Sequence, residues 1–446
     1  VTQMVARSYT TSWDAIFAEG EFWYFSGSHW KMIERRSKLR RLVHRYDNVS
    51  YDRGNRTVEL SRAKIDGIIN EIGTLLYEPD FFANAEIGIN CASGFIRYDA
   101  AGSPTLEPHS PDHRCRHVLP GAWPSEISDD IVRASLLARL LRGSFLGEED
   151  ASAKIDLLAE LAGAAALGIS TRLMKPRAIV LKGETAENGK SQVLDLYRGV
   201  LPASAVSSVP MHKFGDEKYI LRMVGKHLNS SDELTSAAAI SSEVFKSLVT
   251  GEPVTGRDVY RSAVEFRSIA LNVFATNDLP GFRGGMDRGV MRRLLVIPFN
   301  RVIPSEERIE GIGRRIAAEE PDLLLDWTVQ GASRLIRRGG FDEPESCKSA
   351  LKNWCLSSDP VQSWLETVET GENVGRVPTS VAHQAFRDWA IAEGYQRDTL
   401  PAVNNFVQRV MSQRSVVRRI RPGNVSTLVG IRVPTPRPLA GHGSGF

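Results

Sequence analysis

Short apolar runs alternate with helical patterns in the middle of the chain. Ala178–Leu181, Ile269–Thr276 and Leu294–Phe299 are nearly continuous apolar runs of strand length, which is typical of strands buried on both faces of a parallel sheet. A Gly-containing loop follows the first run and opens a helical pattern from Ser191 to Leu201. Buried strands that alternate with helices predict a doubly wound α/β core.

Two different patterns flank this core. Before it, a strand-like piece at Phe22–Phe25 is accompanied by helical patterns over Trp30–Tyr46, Leu60–Leu76, Asp129–Leu146 and Ala151–Leu167. After it, helical patterns at Ser380–Glu393 and Ala402–Ser412 precede two strand-like pieces joined by Pro422-Gly423-Asn424. We therefore expect an α+β N-terminal region (1–125), a helical segment (126–175), the α/β core (176–345), a C-terminal winged-helix domain (346–433) and a disordered tail (434–446).

Composition narrows the class of protein. The 446 residues are 42% apolar and 24% charged, as in globular proteins. The net charge of +3 predicts no nucleic-acid partner by itself, so any such site must come from local clusters of charge. The cysteines lack CxxC spacing, and no apolar run approaches the roughly 20 residues of a membrane span. We expect a cytoplasmic protein with no membrane partner.

The loop after the first apolar run carries the clearest chemistry. It ends in Gly189-Lys190-Ser191 between a buried strand and a helix, the context in which backbone N–H groups bind phosphates. Lys190 would reach the β and γ phosphates of ATP, and Ser191 would bind Mg²⁺. The predicted cofactor-binding residues are Gly183, Glu184, Thr185, Ala186, Glu187, Asn188, Gly189, Lys190, Ser191, Gln192 and Asp232, with Asn188 offering its amide to the γ-phosphate.

The phosphate loop departs from the usual pattern. Five residues separate Gly183 from Gly189, where four are usual. Either the loop bulges by one residue or Glu184 takes the first position. The alternative interpretation is a chance Gly-Lys-Ser at the start of a helix.

Hydrolysis requires further polar groups. Asp232 and Glu233 are a candidate acidic pair for Mg²⁺ and water, although the polar segment before them also suits a solvated helix start. Asn277 ends the second apolar run, where a polar side chain faces the ligand crevice of a parallel sheet, or caps a turn. Arg292 and Arg293 precede the third run. We expect them beside the same sheet edge as the loop, as an arginine finger or sensor, and the alternative is surface charge.

The order of these motifs resembles that of superfamily 3 helicases of the phage/plasmid and poxvirus primase–helicase type. The matching residues are Gly189-Lys190-Ser191, Phe214, Gly225-Lys226, Asp232-Glu233, Lys246, Gly251, Asn277 and Arg292-Arg293 through Phe299. The resemblance implies a modified AAA+ core with a helical collar (126–175), in a hexameric ring whose ATP sites lie between subunits. It also implies a location in the host cytoplasm if the protein is phage-encoded. It implies catalytic roles for Lys190, Glu233, Asn277, Arg292 and Arg293, with Ser191, Asp232 and Glu233 at the metal.

DNA contacts are predicted in the core and in the C-terminal segment, and the basic run from Trp30 to Arg45 is either a further phosphate-binding surface or a solvated helix face. The resemblance puts a DNA-gripping hairpin at Gly251–Phe266, with Arg257, Tyr260 and Arg261. In the C-terminal segment, arginines accumulate and no Asp or Glu follows Asp398. The candidates there are Arg409, Arg418, Arg419 and Arg421, on a winged helix that binds duplex DNA. The alternative is a capping domain with incidental charge.

The resemblance implies an ATP hydrolase that acts as a DNA helicase, unwinding DNA in the replication of a phage, plasmid or mobile element. Its partners would be single-stranded and forked duplex DNA, other copies of itself and a separate primase or polymerase. Two alternatives stay open. One is a loader or switch that binds DNA and ATP without translocating, and the other is an origin-binding protein with a vestigial ATPase.

Overall fold

A computed structural model describes residues 15–33, 36–50, 57–124, 127–183, 185–232, 240–257, 263–277, 282, 287–393, 397 and 400–433. The chain divides into two compact units: Val1–Pro280 with Arg292–Cys347, and Gly281–Met291 with Lys348–Phe446. Within the described ranges, no helix combines the length and the apolar character needed to cross a membrane. The expected disordered tail, 434–446, lies outside the described residues.

The described strands and helices follow one another along the whole chain. The strands are β1 Ala15–Ala18, β2 Glu21–Phe25, β3 Trp30–Met32, β4 Gly88–Cys91, β5 Gly94–Tyr98, β6 Pro104–Glu107, β7 Ala178–Lys182, β8 Val206–Ser207, β9 Leu228–Ser231, β10 Pro253–Gly256, β11 Val264–Arg267, β12 Leu271–Thr276, β13 Leu294–Pro298, β14 Glu369–Thr370, β15 Arg376–Pro378, β16 Arg418–Ile420, β17 Thr427–Val429 and β18 Ile431–Arg432. The helices are α1 Arg36–His44, α2 Arg62–Leu75, α3 Asp129–Ala134, α4 Leu136–Phe145, α5 Ala151–Leu167, α6 Lys190–Val200, α7 Glu217–Ile220, α8 Ser242–Thr250, α9 Arg288–Met291, α10 Ile312–Glu319, α11 Pro321–Arg338, α12 Glu345–Ser358, α13 Pro360–Thr367, α14 Thr379–Ala392 and α15 Val403–Gln413.

A five-stranded parallel sheet in the order β13-β7-β12-β9-β8 lies at the centre of the first unit. β7 pairs in register with both β12 and β13. Its residues Ala178–Leu181 are completely buried, as an inner strand covered on both faces requires. The predicted mixed α/β class is confirmed. The three apolar runs are strands β7, β12 and β13.

The polar strand β9 lies inside this sheet. Asn229 is completely buried there, and its amide nitrogen donates to the carbonyl of Val209 at 3.0 Å and to Oδ1 of Asn272 at 3.1 Å. Its Oδ1 accepts hydrogen bonds from the Val209 amide at 2.7 Å and from the Ser207 hydroxyl at 3.0 Å. The polar sequence is therefore compatible with a central strand, because the buried amide of Asn229 is fully hydrogen-bonded.

The N-terminal part contains two three-stranded antiparallel sheets, β1-β2-β3 and β4-β5-β6. The predicted helix over Trp30–Tyr46 is wrong in its first part. Trp30–Met32 forms strand β3 against β2, with the Trp30 ring packed on Phe25 and Phe81. The aromatic burial decides the conformation of this stretch, and the helix α1 begins only at Arg36.

The helices before the central sheet share one hydrophobic core with it. The pattern over Asp129–Leu146 is two helices, because Ser135 takes an extended conformation and its hydroxyl caps the amide of Ala138. The helix α5 is buried nearly all round and packs closely on α11. Gly163 and Gly331 allow that approach, since a Cβ on either would clash with the other helix backbone.

The second unit contains helices α13, α14 and α15 with the antiparallel sheet β15-β17-β16. The rings of Trp364, Phe386 and Phe406 pack together in its hydrophobic core, with centroids 4.9–5.9 Å apart. The two predicted helices and the strand pair around Pro422-Gly423-Asn424 are present in that order.

Candidate functional site

The loop 183–189 connects the carboxyl end of β7 to the first residue of α6. The amide of Gly183 donates to the carbonyl of Thr276, at the end of the neighbouring strand β12, with a distance of 3.2 Å. Gly189 precedes the helix with a φ of 89°, a conformation that favours glycine. The first-turn N–H groups of α6 have no intrahelical acceptors and carry the positive end of the helix dipole.

The Lys190 ammonium is held among four oxygen atoms. Its Nζ donates to the carbonyls of Gly183 and Thr185, both at 3.2 Å, to Asn188 Oδ1 at 2.9 Å and to Asn277 Oδ1 at 3.0 Å. Lys190 is buried, and desolvation lowers its pKa. None of these acceptors is a carboxylate. The cation therefore has hydrogen-bond partners but no neutralising charge among them, which suits it to an anionic ligand.

The Asn188 side chain faces the loop in this structure. It is buried, and its Nδ2 donates to the carbonyl of Thr185 at 2.7 Å and to that of Phe299 at 3.4 Å. The amide therefore shapes the loop and orients Lys190. Contact with a γ-phosphate, as the sequence predicts, would require it to leave these partners.

A following segment of the chain supports the long loop. Glu187 takes a left-handed conformation with φ 64°, and its carbonyl accepts the amide of Ile303 at 2.9 Å. The Glu187 carboxylate pairs with Arg308 at 2.5 Å. These contacts stabilise a conformation that is unfavourable for a residue with a side chain. Glu184 lies outside the described residues.

An acidic residue lies at the carboxyl end of β9. Asp232 forms a two-pronged ion pair with Arg198 of α6, at 3.1 and 3.2 Å. Arg198 also donates to Ser230 Oγ at 2.9 Å and pairs with Asp195 at 3.1 Å. The Asp232 carboxylate thus lies at the sheet edge where the sequence predicts it, but it is paired with the Arg198 guanidinium. Glu233, the predicted catalytic acid, lies outside the described residues.

These groups surround one cavity of about 330 Å³, a size within the range of small-molecule sites. Its lining residues are Glu187, Asn188, Gly189, Lys190, Ser191, Gln192, Asp232, Ala275, Thr276 and Asn277. Ser191 is exposed toward solvent at the start of α6. The carboxyl ends of three adjacent strands, β7, β12 and β9, therefore bring together the loop, Asn277 and Asp232.

Arg292 and Arg293 lie elsewhere, and the expectation that they share the sheet edge of the loop is wrong. They precede β13, which runs parallel to β7 with Leu294 opposite Ala178. The Arg293 carbonyl accepts the amide of Ala178, the first residue of β7. Residues that precede a strand parallel to β7 lie at the amino edge, opposite the loop. Neither arginine lines the cavity of its own chain.

The segment expected to be a DNA hairpin has the predicted form. β10 and β11 pair antiparallel, with Pro253 opposite Arg267 and Gly256 opposite Val264. Arg257 is exposed beyond β10, and its amide donates to the carbonyl of Glu217 at 3.3 Å. Tyr260 and Arg261 lie outside the described residues.

The six arginines between positions 409 and 432 fall into two groups. Three form ion pairs with carboxylates of the preceding segment: Arg409 with Asp359 at 3.7 Å, Arg414 with Glu366 at 2.6 Å and Arg432 with Glu369 at 3.0 Å. The other three, Arg418, Arg419 and Arg421, are exposed on β16 and the turn after it. Of the predicted DNA-binding residues of this unit, Arg409 therefore already has a carboxylate partner.

Sequence reasoning missed Arg198 and Arg308. The guanidinium of Arg198 contacts Asp232, which lies 34 positions away in the sequence, and that of Arg308 contacts Glu187, which lies 121 positions away. No local motif marks either residue, because each acts on a partner that only the fold brings near.

The fold and this geometry define an α/β protein with a polar cavity at the carboxyl edge of a parallel sheet. Residues 181–293, which include the loop, Asp232 and Asn277, match the model of a family of unknown function, DUF5906. No curated protein matches the chain.

Among solved structures, the chain is similar to the apo structure of the NrS-1 C-terminal region (305–718). The TM-score is 0.50 and the identity 11%, over 97% of this chain and 99% of that one. For the A form of the same region, the TM-score is 0.48 and the identity 10%, over 97% and 100% of the two chains. The likeness concerns the fold alone.

Proposed function

We propose that this chain is an ATP-hydrolysing DNA helicase, a ring-forming motor of the superfamily 3 type that acts in the replication of a phage, plasmid or mobile element. In this proposal the first unit holds a P-loop core of AAA+ type, and the second unit holds a winged helix. The cofactors are ATP and Mg²⁺.

One observation carries the proposal: Lys190, Ser191, Asp232 and Asn277 line a single cavity at the carboxyl edge of the parallel sheet. Ligands of open α/β sheets bind at this edge. A triphosphate there would meet the first turn of α6 and the Lys190 ammonium. Ser191 and Asp232 offer oxygen atoms of the kind that Mg²⁺ prefers.

The chemistry of phosphoryl transfer suits this set of groups. The transferred group needs cationic and hydrogen-bonding contacts more than covalent help from the protein. Lys190 supplies the cation, and Asn277, which contacts Lys190 at 3.0 Å, would orient water or the γ-phosphate. Glu233 is the proposed catalytic acid.

The motor function needs neighbouring subunits. The guanidinium groups of Arg292 and Arg293 lie at the amino edge of their own sheet, so a role in hydrolysis requires the cavity of another copy. In a heterologous ring, each subunit presents one edge to the next, so a trans arginine can link hydrolysis to the state of the neighbour.

Strand displacement coupled to ATP turnover tests the proposal. The full chain is incubated with a forked DNA duplex, ATP and Mg²⁺, and both phosphate release and strand separation are measured. We expect Lys190→Ala and Ser191→Ala to lose both activities. Ser191→Ala removes only an exposed hydroxyl, so it separates a catalytic defect from misfolding. Lys64→Ala, at an exposed position of α2, is the matched control and should retain both activities.

A test of shared sites uses mixed rings. Lys190→Ala subunits are mixed with Arg292→Ala subunits, each inactive alone. We expect part of the ATP turnover to return, because some interfaces then pair an intact Lys190 with an intact Arg292. No recovery at any mixing ratio would exclude a trans arginine.

A second candidate is a DNA-binding protein that binds ATP but does not hydrolyse it. The observation that favours it is the Arg198–Asp232 ion pair, which occupies the carboxylate expected at the metal. Tight ATP binding without phosphate release would support this second candidate. If phosphate is released but the strands of the forked duplex do not separate, the protein is instead a loader or switch.

A further inference from the structure

The helix α15 has one apolar and one amide-rich face. Phe406, Val407 and Val410 are buried in the core of the second unit. The opposite side carries Asn404, Gln408 and Ser412, spaced four residues apart, with Asn405 beside them. All four are exposed. Residues at this spacing form one stripe along a helix.

The amides of this stripe are available to a ligand. Within the part of the chain that the structure describes, Asn404, Asn405 and Gln408 form no side-chain hydrogen bonds. Carboxylates are absent from the sequence after Asp398. The stripe therefore offers several donors and acceptors without the charge that would repel a polyanion.

Positive charge follows directly along the chain. The strand β16 begins five residues after α15 ends, and the two elements are in contact. It carries Arg418 and Arg419, and Arg421 opens the turn to β17. The three guanidinium groups form none of the described ion pairs, unlike those of Arg409, Arg414 and Arg432.

We infer that α15 is a base-reading helix that enters the major groove of duplex DNA and selects adenine-containing sites through Asn404, Asn405 and Gln408. Asn and Gln side chains form paired hydrogen bonds with N6 and N7 of adenine, an edge presented in the major groove. Arg418, Arg419 and Arg421 contact the phosphate backbone, which holds the helix in register without reading sequence. This inference rests on the DNA-binding part of the proposed function and requires neither ATP nor the cavity.

The chemistry favours duplex DNA over other partners. The major groove of A-form RNA is too deep and narrow for a helix. Single strands are usually bound by stacking on aromatic side chains, and the exposed stripe has none. A protein partner would be expected to bury an apolar anchor, whereas this face is polar at its centre.

Selection from a random DNA duplex pool tests the inference. The full chain is used without nucleotide, and the bound fraction is sequenced. We expect enriched sites that share adenines at neighbouring positions. Replacing one of these A·T pairs by G·C should weaken binding of the unmodified chain roughly 5- to 150-fold, as expected for one lost bidentate contact.

Two sets of variants separate base reading from charge. Asn404→Ala, Asn405→Ala and Gln408→Ala should each lose the preference at one base position while binding random duplex as before. Arg418→Gln, Arg419→Gln and Arg421→Gln should weaken binding to all sequences alike. Each should also reduce the slope of log affinity against log salt concentration by about the amount that one phosphate contact contributes. Asn70→Ala on α2 and Arg432→Gln, an arginine already paired with Glu369, are the controls.

The outcomes distinguish this inference from the motor proposal. Lys190→Ala should keep the full sequence preference even though it loses ATP turnover. The inference is overturned if the pool yields no enriched sequence, if RNA duplex or single strands are selected instead, or if the three amide variants keep the original preference. None of these results alters the expected ATP turnover of the unmodified chain.

Discussion

Lys190 Nζ donates a hydrogen bond of 3.0 Å to Asn277 Oδ1. The two residues are 87 positions apart. They meet because β7 and β12 are adjacent parallel strands, and each residue follows the carboxyl end of its strand. The contact joins the proposed phosphate-binding cation to the proposed sensor.

This contact predicts the effect of changing Asn277. Asn277→Ala removes a polar group aimed at the cavity, and we expect ATP turnover to fall about 10²- to 10³-fold, as when a transition-state donor is lost. Asn277→Asp keeps the shape but places a carboxylate beside Lys190, so ATP binding itself should weaken. Phosphate release and a binding titration with a fluorescent ATP analogue measure the two effects. Equal turnover in Asn277→Ala and unmodified protein would exclude the sensor role.

Gly183 is predicted to tolerate no side chain. A Cβ on Gly183 would clash with Asn188 Nδ2 and Lys190 Nζ, and it would lie 2.9 Å from the backbone oxygen of Phe299, which cannot move aside as a side chain can. Gly183→Ala should therefore displace both side chains and abolish ATP binding. The control is Gly67→Ala in α2, where a Cβ meets nothing within 4 Å.

Thermal unfolding and ATP titration are compared for the two glycine variants. Gly67→Ala should stabilise the protein by about 0.5–1 kcal/mol, since alanine is the better helix former. If Gly183→Ala binds ATP as well as Gly67→Ala does, the loop is not the nucleotide site.

The Arg198–Asp232 pair is predicted to set the Mg²⁺ requirement. The Asp232 side chain is 49% exposed, so the pair is worth at most about 1 kcal/mol. Arg198→Gln frees the carboxylate, and we expect the Mg²⁺ concentration for half-maximal turnover to fall by up to about fivefold. Arg315→Gln, which breaks an exposed pair with Glu319, is the control. An unchanged Mg²⁺ dependence would remove Asp232 from the metal site.

His227 is predicted to make the fold sensitive to acid. Desolvation lowers its pKa to about 4 from 6.5, and nearby Arg116 also lowers it, although a hydrogen bond with the Ala165 carbonyl opposes the shift. The folded state keeps the imidazole neutral where the unfolded state takes up a proton. Stability should therefore be lost as the pH falls from about 6.5 to about 4, by up to about 3 kcal/mol from this group.

Denaturant unfolding at several pH values measures this loss. His227→Gln should make the pH dependence between 6.5 and 4 less steep, and a slope remains because burial also lowers the pKa values of His29 and His117. His44→Gln, on the exposed face of α1, should leave the dependence unchanged. Identical pH dependence in the unmodified chain and His227→Gln would show that another group is responsible.

The sequence predicts the inner strands β7 and β12 well, because both faces of these strands are buried and most of their side chains are therefore apolar. Ala178–Leu181 is buried on both faces, so its apolar run alone identifies β7. The helix α5 begins and ends at the predicted residues, Ala151 and Leu167, because an acidic segment precedes it and Gly168 follows in a left-handed conformation.

Features that depend on distant partners could not be predicted from local patterns. The polarity of β9 argues against a buried strand until Asn229 is seen to bond Asn272 of the adjacent strand. Likewise, the sequence gives no strand order or direction, so it cannot assign Arg292 to one edge of the sheet. The loop and Asn277 were predicted to lie together because both follow apolar runs, and the cavity confirms that proximity.

In the proposed motor, ATP is hydrolysed in the cavity that Lys190 lines, and this hydrolysis drives movement along DNA. Phosphate release by the full chain, measured with ATP and Mg²⁺ in the presence and absence of single-stranded DNA, tests it most directly. We predict turnover that rises several-fold with DNA and vanishes in Ser191→Ala. Turnover that is absent with and without DNA, or that is equal in the unmodified chain and Ser191→Ala, would contradict the claim.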